Sequence, residues 1–205
     1  MKTRIVLLIM MAGFVLQGCG VSAAFASDAP ETEPAAVRAP AWLEYEGSRI
    51  TLLCSPEVSM RRLEGRLRSR WFTVSAAERD LSTNPAYSVE QRVLARLESI
   101  LLRVEQVLGM DVPSLRLKIK VYMTRDALSV ECMRMYGTAE RYRSFYVRAL
   151  ETIYTSMQDV TDSQIANEMA HAVIDDYFKV IPPERTAEFL ATYVDSHLED
   201  REWDE

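Results

Sequence analysis

Along "LRLKIKVYM" (115–123) apolar and polar positions alternate without a fault. Leu115, Leu117, Ile119, Val121 and Met123 fall on one side, and Arg116, Lys118, Lys120 and Tyr122 on the other. That period of two predicts a β-strand with one face on a core. "RITLLC" (49–54), "RSFYV" and "TIYTS" are shorter apolar runs of the same kind, the last two flanking a turn at Arg148 to Glu151.

Elsewhere the apolar positions recur at helical spacing. Ser88-Val89-Glu90-Gln91 fits a capping box, and Val89, Val93, Leu97, Ile100, Leu101, Val104 and Leu108 mark one helix face that ends at Gly109. "PEVSMRRLEGRLRSRWF" places Met60, Leu63, Leu67 and Trp71 on one face. Its other face holds Arg61, Arg62, Arg66, Arg68 and Arg70, a stripe that suits a solvated helix surface, lipid headgroups or an acidic partner. A helix from about Arg125 to Met135 carries Cys132. Thr161-Asp162-Ser163-Gln164 reads as a second capping box, opening a helix to about Tyr177 or Phe178. Pro182-Pro183 then break the chain, and Ala187 to Leu198 form a closing helix before the acidic tail "EDREWDE". A few strands mixed with helices predict an α+β fold.

Residues 1–41 break from these patterns. A basic start (Lys2, Arg4) precedes an apolar run from Ile5 to Leu16 that is short for a bilayer span, as in a signal peptide. Leu16-Gln17-Gly18-Cys19 resembles a bacterial lipobox, in which Cys19 becomes the lipid-carrying first residue of the mature chain. Ala24-Phe25-Ala26 offers a competing cleavage site, which would release a soluble periplasmic or secreted protein. Residues 1–19 are thus expected to be a signal peptide, 20–41 a flexible, proline-punctuated tether, and 42–205 the folded domain. On this reading the protein faces the periplasm, anchored to a membrane through lipidated Cys19.

Export bears on charge and cysteines. The 205-residue chain has a formal net charge of −6, and losing Lys2 and Arg4 leaves about −8. An acidic domain without aromatic–basic interleaving gives no footing for nucleic acid. Once Cys19 is lipidated or removed, Cys54 and Cys132 remain. In an oxidising compartment an even pair suggests a disulfide, and two buried thiols are the alternative.

The candidate chemistry lies in "NEMAHAVIDDYF" (167–178). Residues four apart on a helix share a face, so Asn167 and His171 could reach one ion, with Glu168 beside them. The segment is small and apolar around Glu168 and His171, so a carboxylate there needs a metal, a water or a cation as partner. The next helix carries Glu188-Phe189-Leu190-Ala191-Thr192-Tyr193. His197, nine residues past Glu188, falls out of phase with it. Asp175, Asp176 and Asp195 fit no calcium-loop spacing and read as solvated.

Together "NEMAHAVI" and "AEFLATYV" resemble the core of a gluzincin, or peptidase-MA-like, zinc metallopeptidase domain, over roughly residues 88 to 198. The resemblance implies a zincin-like α+β fold, with a small sheet packed on the site helix and a C-terminal helix after it. It also implies that "TIYTS" lines the cleft, that Glu168 is the general base, and that His171 and Glu188 are metal ligands. Asn167 stands where the family has its first His ligand. A neutral amide oxygen is a poor partner for zinc, so zinc is expected to be weak or absent. Three functions follow: a domain that has lost catalysis and binds a peptide or envelope protein, an active zinc peptidase with an atypical Asn ligand, or a purely structural envelope lipoprotein.

Overall fold

A computed structural model describes residues 41–67, 86–138 and 141–198, all within the unit running from Arg38 to Glu205. The signal peptide, the lipobox with Cys19, Ala26 and nearly all of the tether lie outside the described residues, as do Arg68, Arg70, Trp71 and the acidic tail.

Five strands and five α-helices are interspersed along the described chain. They are β1 (Leu43–Glu46), β2 (Ile50–Cys54), α1 (Met60–Arg66), α2 (Val89–Leu108), β3 (Leu117–Tyr122), α3 (Arg125–Tyr136), β4 (Ser144–Val147), β5 (Thr152–Ser156), α4 (Asp162–Tyr177) and α5 (Glu184–His197). The sheet order is β1-β2-β3-β5-β4, with β2, β3 and β5 parallel and the two outer strands antiparallel to their neighbours. The class is therefore α+β with a small mixed sheet.

The faultless alternation of β3 places it at the centre. Ile119 sits opposite both Leu52 and Ile153, all three at most 1% exposed. That face packs beneath α1, α2, α4 and α5 in the main apolar core. The opposite face carries a second cluster with α3, in which Phe145 stacks on Tyr154 at 5.0 Å. Lys120, on that side of β3, holds its ammonium 5.0 Å from the Trp42 ring centre, so its stem covers apolar surface while its charge stays accommodated.

Helix α2 begins and ends as its sequence requires. Both bonds of the Ser88–Gln91 capping box form, and Gly109 takes the left-handed conformation (φ 63°) that a side chain would resist. Two acidic residues of α2 anchor the start of β2. Glu98 accepts the backbone N–H groups of Arg49 and Ile50, and Glu105 takes two bonds from the Arg49 guanidinium and one from Val112 N–H.

Several expectations change. Strand β1 is absent from the sequence reading, because a four-residue, mostly exposed edge strand leaves little apolar pattern. Helix α5 starts at Glu184 rather than Ala187, since Pro183 caps the helix and its carbonyl accepts from Thr186 and Ala187. At Thr161 only the hydroxyl's bond from Gln164 N–H forms, and the Gln164 side chain turns to a cleft instead of reaching back. The expected disulfide is also not formed. Cys54 belongs to the main core and Cys132 to the cluster on the opposite face, so the sheet lies between two buried thiols.

Candidate functional site

Helices α4 and α5 pack antiparallel, and two contacts set their register. Ser163 Oγ donates to Asp195 near one end, and His171 Nε2 lies 3.8 Å from Glu188 Oε1 two turns along. Fully buried Ala170 and Ala191 have the small side chains that let two helix backbones approach. Helix α4 also packs on α2, where Arg96 meets the buried Asp162 at 3.2 Å, and on β4. The "NEMAHAVI" segment is thus held on three sides.

Glu168 points toward β4. Its Oε1 accepts a 2.6 Å hydrogen bond from Ser144 Oγ, and the Tyr146 backbone lies close enough to favour its charged form. Burial raises its carboxyl above the ordinary glutamate value, while the Ser144 bond, His171 and the Tyr146 backbone pull the other way and Glu188 adds to the rise. Burial dominates, so the neutral form is favoured more than in water.

Asn167 lines a cleft of about 260 Å³ with Glu168, Gln164, Ser144, Arg143 and Asp195. This cleft sits over the first half of α4, beside the start of β4 and the last turns of α5. It offers hydroxyls, amides, one guanidinium and two carboxyl groups, a set suited to a small polar or zwitterionic group. His171 lies further along α4 with Glu168 one turn before it and Asp175 one turn after. Glu188, mostly exposed, reaches the same imidazole from α5.

Asp175 is half-buried rather than solvated. Burial raises its carboxyl, and Arg148, 3.6 Å away, and His171 offset part of that rise. Asp195 is exposed but lines the cleft, and Asp176 is exposed. His197 stays apart, as its phase on α5 implies: its ring stacks on Tyr193 at 3.9 Å and its Nδ1 lies 2.9 Å from the Tyr193 carbonyl.

The strand at the site is not the expected one. "TIYTS" is β5, buried at every position and paired on both edges. The outer strand β4 supplies Ser144 to Glu168 instead. Sequence reading passed over Arg143, Ser144 and Tyr146. Their signal was the alternation in "RSFYV", where a small polar Ser144 shares a side with Tyr146 while Phe145 and Val147 face the other cluster. The Tyr146 hydroxyl, pushed up to about 12 by burial and nearby Asp175 and Glu151, stays a proton donor at neutral pH.

A catalytic zinc takes three protein ligands and leaves one position open. His171 and Glu188 are two good donors that face each other. Asn167 adds only a neutral amide oxygen, and Glu168 is engaged by β4. Among the described residues no three His, Cys, Asp or Glu side chains gather as a metal-binding group. The residues present do not complete a three-ligand zinc site. None of the described helices is long and apolar enough to cross a membrane. Comparisons with protein-family models, with curated proteins and with solved structures return no match.

Proposed function

We propose that the chain is an exported bacterial lipoprotein whose gluzincin-like domain has lost hydrolysis and serves a binding role at the cell envelope. The observation that carries this reading is the approach of Glu188 to His171 at 3.8 Å, with Asn167 on the same face of α4. Two residues of the metallopeptidase pattern meet across the helix pair, and the third position holds a side chain that binds zinc poorly. Ser144 also gives the Glu168 carboxyl a hydrogen-bond partner within the protein, as a structural role requires. What remains is a polar cleft whose donors and acceptors suit a small polar or zwitterionic group of a peptide or an envelope protein. A lipid on Cys19 holds the domain near the membrane.

Metal analysis of the purified domain tests this. Wild type is expected to carry no stoichiometric zinc, Asn167→His to gain one zinc per chain, and adding Glu188→Ala to abolish that gain. Stoichiometric zinc in wild type that disappears on Glu188→Ala would replace this reading with an active peptidase using an Asn ligand. If Asn167→His gains none, the ligand geometry is wrong and Glu168 and His171 are structural. Mass spectrometry of the membrane fraction is expected to find lipidated Cys19, and an unmodified chain beginning at Ser27 would refute the anchor.

A further inference from the structure

The arginine face of α1 plays no part in the α4–α5 site. Two of its residues, Arg62 and Arg66, lie one helical turn apart and line a crevice of about 420 Å³. Its other wall is made where two parallel strands end: Met123 and Thr124 directly follow β3, and Met157 and Gln158 directly follow β5. Crevices beyond the carboxyl ends of parallel strands are a common place for ligands, because loops and helix starts leave space there. The volume falls in the range of about 300–1,000 Å³ usual for small-molecule pockets.

The crevice joins cationic and apolar walls. Arg66 Nη2 donates to the Gln158 carbonyl at 3.0 Å, which steadies the guanidinium across the gap while using one of its five N–H donors. The carboxylate next along the chain, Asp159, is occupied by Arg125 and by Ser156 Oγ, so it does not neutralise this pair. Met157 is buried in the main core and Met123 packs on it, which makes them a polarisable apolar wall.

Gly65, also lining the crevice, adds an independent observation. A Cβ built there meets no atom of the described residues within 4 Å. Glycine inside a helix costs about 0.5–1 kcal/mol relative to alanine. Helix α1 therefore gives up stability at a position where a side chain would enter the crevice rather than touch the described residues.

We propose that this crevice binds a small soluble organic anion, with its carboxylate or phosphate head on Arg62 and Arg66 and its apolar body against Met123 and Met157. Calorimetric titration of the full chain with hexyl phosphate, hexanoate, inorganic phosphate and hexanol tests it. At least one hexyl anion is expected to bind saturably, one per chain, and tenfold or more tighter than inorganic phosphate or hexanol. Preference between the two anions identifies the head group. Gly65→Leu is expected to weaken that binding at least tenfold with little change in melting temperature. The double variant Arg62→Ala, Arg66→Ala, altering only exposed side chains, is expected to do the same and stands in if Gly65→Leu does not fold. Lack of saturable binding by either anion overturns the proposal. So does equal binding of hexanol or inorganic phosphate, or an affinity unchanged in these variants. Binding only to phosphatidylglycerol vesicles also overturns it and assigns the arginines to a membrane surface.

Discussion

Ser144 Oγ donates a 2.6 Å hydrogen bond to Glu168 Oε1 and so ties the outer strand β4 to helix α4. This one contact links the edge of the sheet to the residue that would be the base in a metallopeptidase. Removing the donor in Ser144→Ala leaves Glu168 without its side-chain hydrogen-bond partner and should destabilise the domain by about 1–2 kcal/mol at neutral pH, read from urea unfolding.

The same carboxyl gives a pH-dependent result. Folding raises it through burial, so its contribution to stability is full below the unfolded glutamate value and is lost as pH rises through the folded one. Glu168→Gln, which keeps an oxygen for Ser144, should match or exceed wild-type stability at pH 7. That advantage should shrink as pH falls below the ordinary carboxylate range. Unfolding curves of the two proteins between pH 3 and 7 check the sign, and a Gln variant that is least stable at pH 7 would contradict it.

Arg49 joins the start of β2 to α2 through its bidentate bond with Glu105, whose side chain is 7% exposed, and through a 2.9 Å bond to the Val112 carbonyl. Arg49→Ala would leave a buried carboxylate with only the Val112 N–H, and should cost about 3 kcal/mol. Glu105→Gln keeps one acceptor oxygen but turns an amide NH2 toward an Arg49 N–H, so it should also destabilise the domain. Chemical denaturation of the two variants checks both.

The cysteines offer a test independent of the candidate site. Burial pushes the Cys54 thiol up to about 12, and Cys132 is 1% exposed. Both should resist iodoacetamide at pH 8 in the folded protein and react fully in denaturant without reductant. Peptide mapping that instead finds Cys54 joined to Cys132 would contradict the sheet lying between them.

Legibility in the sequence followed the strength of the local pattern. Ser88 and Gly109 bound α2 as expected because a capping box and a left-handed glycine act within one turn of chain. The uniform alternation of β3 identified a strand with one core face, and that strand lies at the sheet centre. Strand β1 escaped because pairing with β2, rather than burial of its own side chains, makes it a strand. The cysteine pair misled for a related reason. Counting thiols carries no information about which face of a sheet each one reaches.

By itself the sequence determined which segments are helices and central strands, and that Asn167, Glu168 and His171 share a stretch of one helix. Periodicity, caps and proline breaks are properties of neighbouring residues, so they can be read along the chain. Only the tertiary structure decided what those residues meet. The helix pair brings Glu188 to His171, sheet order makes β4 rather than β5 the strand that engages Glu168, and α1 comes to lie across the ends of β3 and β5. Each of these contacts joins residues far apart in the chain, and the packing of a shared core sets them.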